Sequence, residues 1–134
     1  SPNSAQIDYI TIMTTGNSAD FGDLTVGRGC MGGTSSSTRG LFAGGAPGPS
    51  NVIDYVTIAT LGNATDFGNL TVARTLSGGA SNNIKATFSG GSTPSYSNVI
   101  DYITISSTGN ATDYGDLITA NTGASGSNGH GGLQ

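Results

Sequence analysis

Ile53-Asp54-Tyr55-Val56-Thr57-Ile58, followed by Gly62-Asn63-Ala64-Thr65-Asp66-Phe67-Gly68-Asn69-Leu70, is the stretch that decides how this chain folds. β-Branched and aromatic side chains fill the first segment, and Gly and Asn mark the joint after it. Ile53 and Tyr55 point to one face of such a strand, Val56 and Ile58 to the other. A strand apolar on both faces needs cover on both, which predicts sheets stacked on sheets.

The same text recurs. Ile-Asp-Tyr-(Ile/Val)-Thr-Ile stands at 7–12, 53–58 and 100–105, and Gly-Asn-x-x-Asp-(Phe/Tyr)-Gly-(Asp/Asn)-Leu at 16–24, 62–70 and 109–117. The offsets are 46 and then 47 residues. A further block follows the first two copies: Arg28 and Arg74, Gly32-Gly33 and Gly78-Gly79, then Phe42-Ala43-Gly44-Gly45 and Phe88-Ser89-Gly90-Gly91. The third copy decays after Leu117. The repeats divide one domain, 1–134, at about 7–52, 53–99 and 100–134.

Four strands can be drawn in each unit: c at about 52–59, d at 66–73, a at 74–80 and b at 86–91. No stretch has a helical period. Four short strands in about 45 residues, repeated, predict an all-β chain of β-propeller blades. Leu41-Phe42-Ala43-Gly44-Gly45, then Tyr55, Phe67 and Arg74, resembles the kelch repeat. Phe21, Phe67 and Tyr114 stand where kelch repeats usually carry Trp. The unit is also similar to kelch-like repeats of marine phage structural proteins. That resemblance implies a virion or extracellular location and a structural or adhesive role. The aromatic column is expected to fill equivalent buried slots between neighbouring blades.

About three blades do not close a propeller. The chain begins at a strand c, so whole blades are expected at 28–73 and 74–119, with half-blades at 7–26 and 121–134. Two chains could complete each other, the segment 121–134 of one pairing with 7–12 of the other. That would make a homodimeric six-bladed ring, or a filament if the rotation does not close. A start at Ser1 rather than Met fits processing or excision from a longer chain.

Composition narrows the functions. Lys and Arg total 4, Asp and Glu 8, and charged residues are 9% of the sequence. So little positive charge excludes a nucleic-acid binder that works by neutralising phosphates. No apolar run reaches the ~20 residues of a membrane span. The lone Cys30 excludes an intrachain disulfide and a cysteine-based zinc cluster, and in the apolar column of Leu76 it reads as a small core residue.

All eight Asp residues fall in three repeat columns: Asp8, Asp54 and Asp101; Asp20, Asp66 and Asp113; Asp23 and Asp116. Charge that follows a repeat speaks against a catalytic centre, which breaks symmetry. No Gly-x-Ser-x-Gly elbow accompanies His130, and Gly27 to Gly33 lack the Lys and the following helix of a P-loop. The Asp20–Asp23 segment with Asn17 has the oxygen-rich character of a Ca²⁺ site but no EF-hand spacing, and reads as turn capping. No cofactor and no enzymatic activity are expected. Asp8, Asp54 and Asp101 sit within apolar strands, where carboxylates need partners. Arg28, Arg74, Arg39 and Lys85 are the candidates for pairing between blades. Two other readings of that column stand beside pairing: an inward-facing ring of carboxylates near a central channel, able to bind a cation or a sugar, and a repeated glycan site, in which Tyr9, Tyr55 and Tyr102 stack on a sugar and the neighbouring Asp8, Asp54 and Asp101 hydrogen-bond it.

Overall fold

The computed structural model describes residues 3–122, 126, 128 and 129. Strands are β1 (Gln6–Tyr9), β2 (Ala19–Asp23), β3 (Gly32–Ser35), β4 (Arg39–Ala43), β5 (Ser50–Thr57), β6 (Thr65–Arg74), β7 (Gly78–Asn82), β8 (Lys85–Ser89), β9 (Val99–Thr104), β10 (Thr112–Asp116) and β11 (Asn128–Gly129). No helix occurs among the described residues, so the chain is all-β there.

The strands form three sheets: β1-β2, the antiparallel meander β3-β4-β5-β6, and the meander β7-β8-β9-β10, to which β11 adds on the free edge of β7. β11 runs parallel to β7, with Asn128 opposite Ser81 and Gly129 opposite Asn82. Each of the two meanders follows one turn of the repeat, because a polar, Gly-rich joint every few residues leaves antiparallel neighbours as the short way to pair.

The core lies between the meanders. Leu41, Ala43, Ile53, Phe67 and Leu70 from one sheet meet Ala86, Phe88, Ile103 and Ile105 from the next. β5 is buried on both faces, at Ile53 on one and at Asp54 and Val56 on the other, whereas Ile58, expected on that second face, lies past the strand and is 45% exposed. Phe21 and Phe67 are buried, whereas Tyr114 is 65% exposed, because among the described residues no further sheet packs over it. The expectation of a buried slot therefore fails for Tyr114.

Two further expectations need correction. The strand placed at 74–80 starts at Gly78, because Arg74 ends β6 and Leu76 has a left-handed backbone, φ 59°. Cys30 shares that conformation, φ 56°, and is exposed, as is Leu76. Their column is a turn position: the Leu76 N–H donates to the Cys30 carbonyl at 2.8 Å, which holds the two linkers side by side. Of the strands expected within 121–134, the first is present only as β11, and the second lies outside the described residues.

Candidate functional site

The repeated polar residues converge on the joints between sheets. Asp54 and Asp101, on the central strands β5 and β9, are 0% exposed. Nη1 of Arg28 lies 2.9 Å from Asp54, and Nη2 of Arg74 lies 3.2 Å from Asp101. Each carboxylate is also held by a Thr from the segment leaving the preceding sheet. Thr25 donates its hydroxyl to Asp54 at 2.7 Å and its N–H at 3.1 Å; Thr71 does the same to Asp101, at 2.5 and 3.0 Å. Such buried carboxylates are stable only when paired and hydrogen-bonded, and here each is both.

The two cations differ. Nε of Arg28 donates to the Gly44 carbonyl at 2.8 Å. Arg74 donates Nη2 to the Phe88 carbonyl at 2.8 Å, while its Nε and Nη1 are buried with no hydrogen-bond partner among the described residues. Burial pushes the Arg74 guanidinium below its ordinary value, and the charge of Asp101 and the hydrogen bond to it oppose that shift.

A second clasp repeats nearby. Gly62 donates its N–H to the Phe21 carbonyl, Ala64 donates to the Asp23 carbonyl, and Oδ1 of Asn63 accepts the Asp23 N–H. One unit on, Gly109 donates to Phe67, Ala111 to Asn69, and Oδ1 of Asn110 accepts the Asn69 N–H. The sequence identifies Asn63 and Asn110 as turn residues only. The sign of their larger role was their fixed distance from the aromatic-Gly pair that recurs with them, Phe67-Gly68 and Tyr114-Gly115.

Arg39 and Lys85 do not pair with the aspartates. The Arg39 guanidinium sits over the Tyr55 ring, 4.3 Å from its centroid, and the Lys85 ammonium sits 4.7 Å from that of Tyr102. Arg39 also donates to the carbonyl of Ile105, just past the end of β9. Tyr9, Tyr55 and Tyr102 each meet the aromatic of their own unit edge-on: Phe21, Phe67 and Tyr114, at 5.9, 5.8 and 5.9 Å. Tyr55 borders a shallow hollow of about 260 Å³ lined by Thr57, Thr60, Gly62 and Asn63, and Tyr102 an equivalent one of about 350 Å³.

Of the six residues named for glycan binding, Asp54 and Asp101 therefore present no surface, and Tyr55 and Tyr102 each have one ring face under a cation. Asp8 and Tyr9 are exposed, and Asp8 accepts a hydrogen bond from Ser18 at 3.3 Å. Among the described residues no three His, Cys, Asp or Glu side chains are grouped to hold a metal ion. No known family model matches the chain, and no curated protein matches it.

Proposed function

We propose that this chain is part of a β-propeller of kelch-like blades that serves as a non-enzymatic structural or adhesion module, in a virion or another extracellular assembly. One observation carries the reading: Asp54 and Asp101, two of the aspartates that recur with the repeat, are wholly buried in ion pairs at joints between sheets. Chemistry used to lock neighbouring units together belongs to a scaffold. Two four-stranded meanders related by the repeat, packed through one apolar core, support blades as the unit. Few charges and a surface rich in Gly, Ser, Thr and Asn suit a passive shell.

In this reading additional blades, supplied by a partner chain, complete the ring. Electron microscopy of the purified protein tests the architecture, with annular particles as the expected outcome. A glycan array probed with the same particles tests the role. Silence is expected, whereas micromolar binding that Tyr55→Ala or Tyr102→Ala removes would make the protein a lectin instead.

A further inference from the structure

The sheet β1-β2 carries half of a joint. Asp8 occupies the position of Asp54 and Asp101 but is exposed, and among the described residues neither a Thr nor an Arg reaches it. Tyr9 occupies the position of Tyr55 and Tyr102, with its aromatic neighbour Phe21 in place but, among the described residues, no cation over its ring. β1 pairs with β2 alone among the described residues, whereas β5 and β9 are flanked on both sides. Three features thus lack the same partner. In the complete units that partner is one continuous segment: a Thr, an Arg three residues later, an inner strand, and a strand beginning with Arg39 or Lys85.

We propose that the unpaired edge of β1 is a docking surface for a repeat segment of that chemistry, Thr-x-x-Arg followed by a strand that opens on a cation, and not for an unaltered second copy of this chain. The distinction comes from the repeat register. At the offset of 47 that carries Asp54 to Asp101, Thr71, Arg74 and Lys85 correspond to Ile118, Asn121 and Gly132. The register is confirmed by the backbone for the linker: the Gly45 N–H donates to the Arg74 carbonyl, and the Gly91 N–H donates to the Asn121 carbonyl. A copy docked through its own C-terminal segment would bury Asp8 against Ile118 and Asn121 with no cation, which is unfavourable for a carboxylate. A segment like 69–92 supplies the hydroxyl, the guanidinium and the ammonium together.

The inference rests on the repeat reading of the sheets but not on a closed ring. A labelled peptide spanning 69–92 and another spanning 116–134 are each titrated with the full chain and followed by fluorescence anisotropy. The 69–92 peptide is expected to bind at least tenfold more tightly, and the preference to vanish in Asp8→Asn. Asp8 is exposed, so that variant keeps its fold, as circular dichroism would verify. Equal binding of the two peptides, or tighter binding of 116–134, overturns the proposal and makes a second copy the partner. Failure of 69–92 to bind, or a preference that survives Asp8→Asn, also overturns it. Absence of annular particles in the microscope would remove the propeller while leaving this result standing.

Discussion

The carbonyl oxygen of Gly109 stands where a side chain at Gly68 would begin. Gly68 has φ 147° on β6, and Gly109 belongs to the loop from the next meander that donates to Phe67. Gly22 and Gly62 make the same approach one unit earlier. Gly115, with φ 144°, has the same backbone, and none of the described residues comes within 4 Å of a Cβ there. The three positions separate the cost of the backbone from the cost of the joint. Gly115→Ala should lose about 1 kcal/mol, the scale of a non-Gly residue in a sparsely populated conformation. Gly68→Ala adds overpacking against a backbone that cannot step aside, for a total of about 2–5 kcal/mol. Urea denaturation of the two variants checks this, and equal losses would show that the joint yields.

The aromatic column offers a parallel contrast. Phe67 is 2% exposed and lies in the core shared by the meanders, while Tyr114 is 65% exposed at the same place in its unit. Phe67→Ala should cost about 3–5 kcal/mol, as large-to-small core changes do. Tyr114→Ala should stay below about 1 kcal/mol, since it loses little more than an edge contact with Tyr102. Thermal denaturation distinguishes them, and similar losses would mean that Tyr114 is covered in solution.

The strands were legible because their pattern is local. The pattern from Ile53 to Val56 marks a strand by itself, and Phe42 with Gly44-Gly45 ends one, but burial is not local: the same text at Ile7 to Ile12 is largely exposed, and Ile58 lies past the end of β5, 45% exposed. The joints were legible only in part. That Asp54 and Asp101 pair with arginine follows from burial and charge, but which arginine does not. Arg39 and Arg28 are equally available in the sequence, and register alone puts Arg39 over Tyr55. The roles of Asn63 and Asn110 were hidden because their acceptor atoms serve strands some forty residues away. Cys30 and Leu76 look like a core column since both are apolar, yet a left-handed turn places them outside.

Arg74 and Asp101 are each 0% exposed, so their pair is a test of how the scaffold tolerates buried charge. Asp101→Ala would leave Arg74 with one hydrogen bond, to Phe88, and two further nitrogens already unpartnered. A loss of about 3–5 kcal/mol is expected, the scale for removing one member of a buried pair. Replacing both, as Arg74→Met with Asp101→Leu, should recover a large part of it, because apolar residues of similar volume carry no desolvation cost. The double-mutant cycle measured by chemical denaturation decides. Additive losses would mean that Arg74 and Asp101 are stabilised independently of each other.

Leu76 gives a prediction in the opposite direction. Its φ of 59° is one that L-residues other than Asn and Asp rarely adopt, and its side chain is 45% exposed. What the fold needs there is the backbone, whose N–H reaches the Cys30 carbonyl at 2.8 Å and ties the linker after β6 to the linker before β3. A glycine keeps that N–H and removes the clash of Cβ with the carbonyl that follows, which for an L-residue is on the order of 1–2 kcal/mol. Against this stand the greater freedom of glycine in the unfolded chain and the loss of a partly covered leucine, together about 1 kcal/mol. Leu76→Asn escapes most of the entropy term, because asparagine tolerates the left-handed region while keeping a side chain. Leu76→Asn should therefore be as stable as the parent or more stable by up to about 1 kcal/mol, and Leu76→Val less stable, since a β-branched side chain suits that conformation worst. Melting temperatures for the three proteins order them, and a Val variant as stable as the Asn variant would show that the turn at Leu76 is not held left-handed in solution.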